Sequence, residues 1–198
     1  MGRKPMTPDQ RAKMRARILD AARDRFLAEG LSGLSMRGIA SKVGVSSMTL
    51  YLYYESRHDI VRHIVAEGFR MLNDALAGHE GVKDPADRIQ KMSDAYVSFA
   101  LEQPKYYAAM FLIPLEEGNE STRAMLAEPA AGAVKQFEKA FGEASKAGAE
   151  AKKRAAALWA ALHGLAMLAV GGHLQAVGGK PKDIGAVITG TWAKALKG

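Results

Sequence analysis

Cysteine is absent from this chain of 198 residues, which excludes disulfides, zinc fingers, iron–sulfur clusters and thiol nucleophiles. No stretch approaches the roughly 20 apolar residues that a membrane-spanning helix needs. The apolar, alanine-rich run from Ala155 to Val170 contains His163 and follows Lys152-Lys153-Arg154, so it reads as a buried or interface helix. The N-terminus lacks the apolar core of a secretion signal, and a cytoplasmic location is expected. Strand-type alternation, internal repeats and low-complexity segments are missing too. Sets of residues that would support catalysis are likewise lacking: there is no paired-carboxylate motif, no Ser/His/Asp signature and no glycine loop to cradle a phosphate. His58, His63, His79 and His173 show no metal-ligand spacing with carboxylates, so neither a metal nor a cofactor is expected.

What is present is the composition of a globular protein, with 48% hydrophobic and 25% charged residues. The length allows one large helical domain or two small ones with real cores. Charge is unevenly distributed. Residues 1–60 hold 11 Lys and Arg against 6 Asp and Glu, whereas residues 61–198 hold 17 against 15. Most of the total charge of +7 therefore sits on the N-terminal third. Arg3, Lys4, Arg11, Lys13, Arg15 and Arg17 precede or open the first helix, a cluster suited to neutralising phosphates.

The segment from Ser35 to Ile60 is the most informative. Ser35 can cap a helix whose inward stripe is Ile39, Ala40 and Val43. Gly44 falls where the chain must reverse, Val45 plugs the gap, and Ser46 can cap a second helix running through Tyr53. Leu50 points inward, leaving Ser47, Met48, Thr49, Tyr51 and Tyr53 to face outward. Hydroxyls and phenols stand there in place of a Lys/Glu mixture, and such groups suit phosphates and base edges. The pattern is that of a helix-turn-helix.

Around it, helical periodicity predicts an all-α fold of about nine helices. The first runs from about Pro8 to Glu29 on a ridge of Ile18, Ala22 and Phe26, and Gly30 stops it. Ser56 caps a fourth helix carrying Ile60, Ile64, Phe69 and Leu72. A fifth starts at Asp84-Pro85, a short sixth ends near Pro114, and Leu115 to Glu120 forms an acidic loop. The seventh covers about Thr122 to Ala147 with an irregularity at Pro129. The eighth spans about Glu150 to Leu174 and the ninth about Pro181 to Leu196. The expected domains are a three-helix reader at residues 1–55 and a larger helical domain at residues 56–198.

Residues 10 to 64 resemble the DNA-binding domain of the tetracycline-repressor (TetR) family of bacterial transcriptional regulators. The resemblance rests on Ile18, Ala21-Ala22, Phe26, Gly30, Leu34-Ser35, Ile39-Ala40, Gly44-Val45-Ser46, Thr49-Leu50-Tyr51, Tyr53-Tyr54 and Ile60. The family often has Phe where Tyr54 stands and Lys where Arg57 stands. The resemblance implies that Ser35, Arg37, Ser46, Thr49, Tyr53 and Arg57 hold the DNA backbone. Ser47, Met48, Thr49 and Tyr51 would approach base edges in the major groove, while Leu52 either touches a thymine methyl or packs.

In that family the C-terminal part binds an effector and dimerises. Tyr96, Phe99, Tyr107, Met110, Phe111, Trp159, His163 and Met167 supply aromatic, sulfur and imidazole groups that either line a small-molecule pocket or fill a core. Leu158, Leu162, Leu165 and Ala169, with Ile184, Val187, Ile188 and Trp192, are the expected dimer surface. A two-fold dimer would place two reading helices on successive major grooves of a palindromic operator. The expected function is a homodimeric, ligand-responsive regulator, most often a repressor in such families. A sequence-neutral, nucleoid-type DNA binder and a helical enzyme are the other readings.

Overall fold

The computed structural model describes residues 6–112, 120–145 and 148–197, and its described residues are helical with no strand. Ten α-helices follow in order: α1 (Pro8–Glu29), α2 (Met36–Val43), α3 (Ser47–Tyr51), α4 (Arg57–Ala77), α5 (Pro85–Glu102), α6 (Pro104–Leu112), α7 (Glu120–Ser145), α8 (Gly148–Val170), α9 (Leu174–Val177) and α10 (Pro181–Lys197). Their starts follow local chemistry. The hydroxyls of Thr7, Ser35, Ser46 and Ser56 and the carboxylate of Asp84 each accept a backbone N–H of the first turn, a contact that stabilises by about 1 kcal/mol. Pro85 enters at the first turn of α5, where its missing N–H is no loss.

Three expectations shift. The second helix of the reader ends at Tyr51, two residues early, because Tyr53 and Tyr54 turn their N–H groups back to the carbonyl of Leu50. The eighth helix stops at Val170, where Gly171-Gly172 makes a turn with Gly172 at φ 74°, and the short α9 follows. Residue Pro129 lies inside α7 without ending it, and Asn73 of α4 donates to its carbonyl at 2.9 Å. The acidic loop falls largely on residues 113–119, outside the described residues.

Helix α4 organises the molecule. Its buried residues come in adjacent pairs one turn apart, at Ile60-Val61, Ile64-Val65 and Gly68-Phe69, continued by Leu72 and Leu76. A stripe that wide needs cover on more than one side. Helix α1 packs on it from the reader, and α5, α6 and α7 pack on it in the body. The body closes as α7 lies against α8, and α10 bridges α5 and α8. Phe137 and Phe141 of α7, Ile89 and Met92 of α5 and Leu158 and Leu162 of α8 fill its core.

The corner of the reader depends on Gly44, which takes the left-handed region at φ 79°, ψ 36° and returns its N–H to Ala40. A β-branched side chain is strained there. Gly44→Val is expected to lower stability by roughly 1–2 kcal/mol, read as a drop in the urea midpoint at unchanged slope. An unchanged midpoint would show that the corner tolerates the strain.

Candidate nucleic-acid interface and aromatic site

Leu50 is the anchor of α3, fully buried beneath it. The opposite side lies in water: Met48 is 75% exposed, Tyr51 51% and Leu52 68%. Ser46 and Thr49 are bonded to each other through their hydroxyls at 2.9 Å, so the cap absorbs both. Ser35 caps α2 through Gly38 N–H and stays exposed, as does Arg37 beside it. Ser35, Arg37, Ser46, Met48 and Tyr51 are thus all exposed, and Ser47 and Thr49 are half-buried.

Two expected contacts are turned inward. Tyr53 is only 8% exposed; α3 ends before it, and its hydroxyl donates to Met6 Sδ at 3.1 Å. Its carbonyl accepts from Arg15, whose guanidinium also lies 4.4 Å above the Tyr54 ring. Arg57 is half-buried because it donates to the Leu31 carbonyl at 2.6 Å, tying the start of α4 to the turn after α1. Leu52, by contrast, projects outward. Two residues after buried Leu50, it lies on the opposite side of the helical period.

The reader is joined to the body by contacts the periodicity of the sequence does not reveal. Arg23 of α1 pairs with Glu67 of α4 at 2.8 Å, and the hydroxyl of Tyr106 on α6 donates to the same carboxylate at 3.1 Å. The Tyr106 ring meets Phe26 edge-on at 5.2 Å. Lys105 donates to the carbonyls of Leu27 and Ala28 in the last turn of α1, where a cation is favoured by the helix dipole.

One residue further along α6, Tyr107 enters a different site. Its hydroxyl lies 2.7 Å from His163 Nδ1 and 3.0 Å from the Tyr96 hydroxyl. The Trp159 ring stacks on the imidazole at 5.1 Å, and Phe111 meets it edge-on at 4.5 Å. Burial raises both phenols above their ordinary value of 10, so they keep their protons. Burial also lowers His163, so the imidazole is neutral at pH 7, with one ring nitrogen a donor and the other an acceptor. The site is an uncharged, hydrogen-bonded chain between aromatic walls. Contacts thus unite five of the eight expected residues. Met110 instead packs toward Gly68 of α4, Phe99 is buried, and Met167 is half-buried against the core.

The expected dimer surface needs correction. Leu158, Leu162 and Leu165 lie in the protomer's own core, because α8 must cover α5, α7 and α10. Ala169, Ile184, Ile188 and Trp192 are partly buried against that core, with Trp192 edge-on to Phe141 at 6.1 Å. The outward face of α8 is instead Ala156, Ala157, Ala160, Gly164 and Leu168. Val187 of α10, also in the expected set, is 70% exposed.

A short exposed helix held on a glycine corner, carried by an all-helical body, defines a helix-turn-helix protein. Residues 18–64 match the family described as bacterial regulatory proteins, tetR family, and residues 89–189 match the tetracyclin repressor-like C-terminal domain. The chain belongs to the TetR family of bacterial regulatory proteins. It is 30% identical over 95 residues to the HTH-type transcriptional regulator YobS of Bacillus subtilis, covering 48% of this chain and 50% of YobS. The chain spans about half the length of the curated relatives it matches first. Among solved structures it is similar to a protein of unknown function from Rhodococcus sp. RHA1, with a TM-score of 0.77 and 25% identity over 92% of this chain and 95% of that one. A TetR-like transcriptional regulator from the same organism shares the fold, with a TM-score of 0.66 and 18% identity over 98% and 100% of the two chains. Among the described residues no helix is long and apolar enough to cross a membrane.

The neutral imidazole has a consequence for pH. Burial holds His163, and likewise His63 on α4, below the ordinary value of 6.5. As pH falls through 6.5 the unfolded chain takes up these protons first, so stability falls until the folded imidazoles also protonate. The His163 ring protons in NMR are expected to titrate with a midpoint below 6.5, and the urea midpoint to fall between pH 7 and pH 5. A titration midpoint at or above 6.5 would contradict a buried neutral imidazole.

Proposed function

We propose that this protein is a DNA-binding transcriptional regulator acting in the cytoplasm, a homodimeric repressor that leaves a palindromic operator when a small molecule binds its body. The observation that carries the reading is the outer face of α3, where Met48, Tyr51 and Leu52 stand in water above buried Leu50. An ordinary helical corner gains nothing from such exposure. Beside a reader bearing most of the chain's net positive charge, a major groove accounts for it. Ser35, Arg37, Ser46, Ser47, Met48, Thr49 and Tyr51 form the DNA face, with Ser35, Arg37, Ser46 and Thr49 on the backbone and Ser47, Met48, Thr49 and Tyr51 at base edges.

Family membership supports the remaining parts. The chain Tyr96–Tyr107–His163, walled by Phe111 and Trp159, offers hydrogen-bonding tips among apolar surfaces, which suits a small effector. The small outward residues of α8, with Val187 of α10, allow close approach of a second copy about a two-fold axis. Helix α4 connects reader and body. An effector that binds better when the two readers are differently spaced would shift the dimer away from its operator, by no more than its differential affinity for the two states.

Fluorescence anisotropy on duplex DNA from the gene's own upstream region, against unrelated DNA, tests the reading. Wild type is expected to prefer the former, and Tyr51→Ala to lose affinity on the order of tenfold with helicity intact. Arg37→Ala is expected to weaken binding to all sequences and to flatten the salt dependence by roughly one unit of slope for each phosphate no longer neutralised. Equal, salt-steep binding to every duplex would favour a sequence-neutral DNA binder. No binding at low salt would remove the regulator reading.

A further inference from the structure

The chemistry of α3 specifies what kind of base it reads, an assignment that rests on the DNA-reading role proposed above and goes beyond it. In the major groove guanine is read by Arg or Lys, adenine by Asn or Gln, and the C5-methyl of thymine by apolar contact. Residues 43–54 contain no charged and no amide side chain. Of the hydroxyls on this segment, those of Ser46 and Thr49 are bonded to each other, and Tyr53 is buried against Met6. What the outer face offers is the thioether of Met48, the isobutyl group of Leu52, the Tyr51 ring with its phenol, and the Ser47 hydroxyl. Met48 and Leu52 are, with Val187, the most exposed large apolar side chains among the described residues.

We propose that this protein recognises thymine methyl groups, through Met48 and Leu52 at the two ends of α3, with Tyr51 between them. Each operator half-site then carries thymines at the positions that face these side chains. Sequence preference comes from apolar contact, whereas the positive charge of residues 1–60 supplies attraction to any duplex. Charge complementarity selects DNA as the occupant of this apolar face over a protein or a lipid surface. Arg15 and Arg17 of α1 reach the carbonyls of Tyr53 and Val43 at the two ends of this segment, and both are exposed, as is Arg37 of α2.

Duplexes selected by the purified full-length protein from a randomised library provide the probe. The selected half-sites are expected to hold thymines, and replacing each contacted thymine by uracil, which removes only the methyl, to weaken binding about fourfold per methyl. Met48→Ala and Leu52→Ala are each expected to abolish the difference at one thymine, and in the double variant the thymine and uracil duplexes are expected to bind alike. Both side chains lie in water, so circular dichroism and thermal unfolding are expected to match the wild type. A defined site bound equally with thymine or uracil overturns the methyl reading and leaves the DNA-reading proposal standing. Recovery of no preferred sequence overturns both.

Discussion

The covering of α4 on several sides is the constraint from which the rest of the structure follows. A helix buried in adjacent pairs at Ile60-Val61, Ile64-Val65 and Gly68-Phe69 cannot slide or rotate while its neighbours stay in place, since packed interiors leave no slack at the scale of a methyl group. Its first turn is held to the reader by Arg57 on the Leu31 carbonyl. Further along, Glu67 is shared by Arg23 of the reader and Tyr106 of the body. Its last turns meet α7 through Asn73 and Pro129. Helix α4 thus ties the packing of the body to that of the reader at its start, its middle and its end.

The reader itself is small, and its exposed helix is only five residues long. A helix of that length has no stability of its own in water. It persists because Leu50 is pinned beneath it, Ser46 caps it and Gly44 sets the corner before it. The same economy leaves little outward surface, so the proposed DNA preference rests on four or five side chains. Placing large apolar groups there conflicts with solubility in the unbound state, and the surrounding cations offset it.

Much of this architecture is legible in the sequence where the determining chemistry is local. Ser35, Ser46, Ser56 and Asp84 announce helix starts because a short side-chain acceptor has one good use at that position. Gly30 and Gly44 mark stops for a comparable reason. The errors arise where tertiary contacts decide. Tyr53 reads as a contact by its phenol, but it stands three residues after buried Leu50 and shares that inward face. Arg57 reads as a phosphate contact until the Leu31 carbonyl is found beside it. Leu158, Leu162 and Leu165 lie on a helix that is apolar nearly all round, and no local signal says which face meets its own chain. The small residues Ala160 and Gly164, on the exposed side, are the better pointer to a second surface. The aromatic site is recognisable by residue type; its division, with Tyr107 on the imidazole and Tyr106 on the reader junction, needs the fold.

Lys105 closes the last turn of α1 from a helix that lies more than seventy residues later in the chain. The carbonyls of Leu27 and Ala28 thus obtain their cationic partner only when α6 has docked. With Arg23 dependent on Glu67, and Phe26 on Tyr106, the reader borrows the completion of its longest helix from the body. In a segment cut off before α4, the Leu27 and Ala28 carbonyls would be left to water and Arg23 would lose Glu67, so the last turns of α1 are expected to fray there.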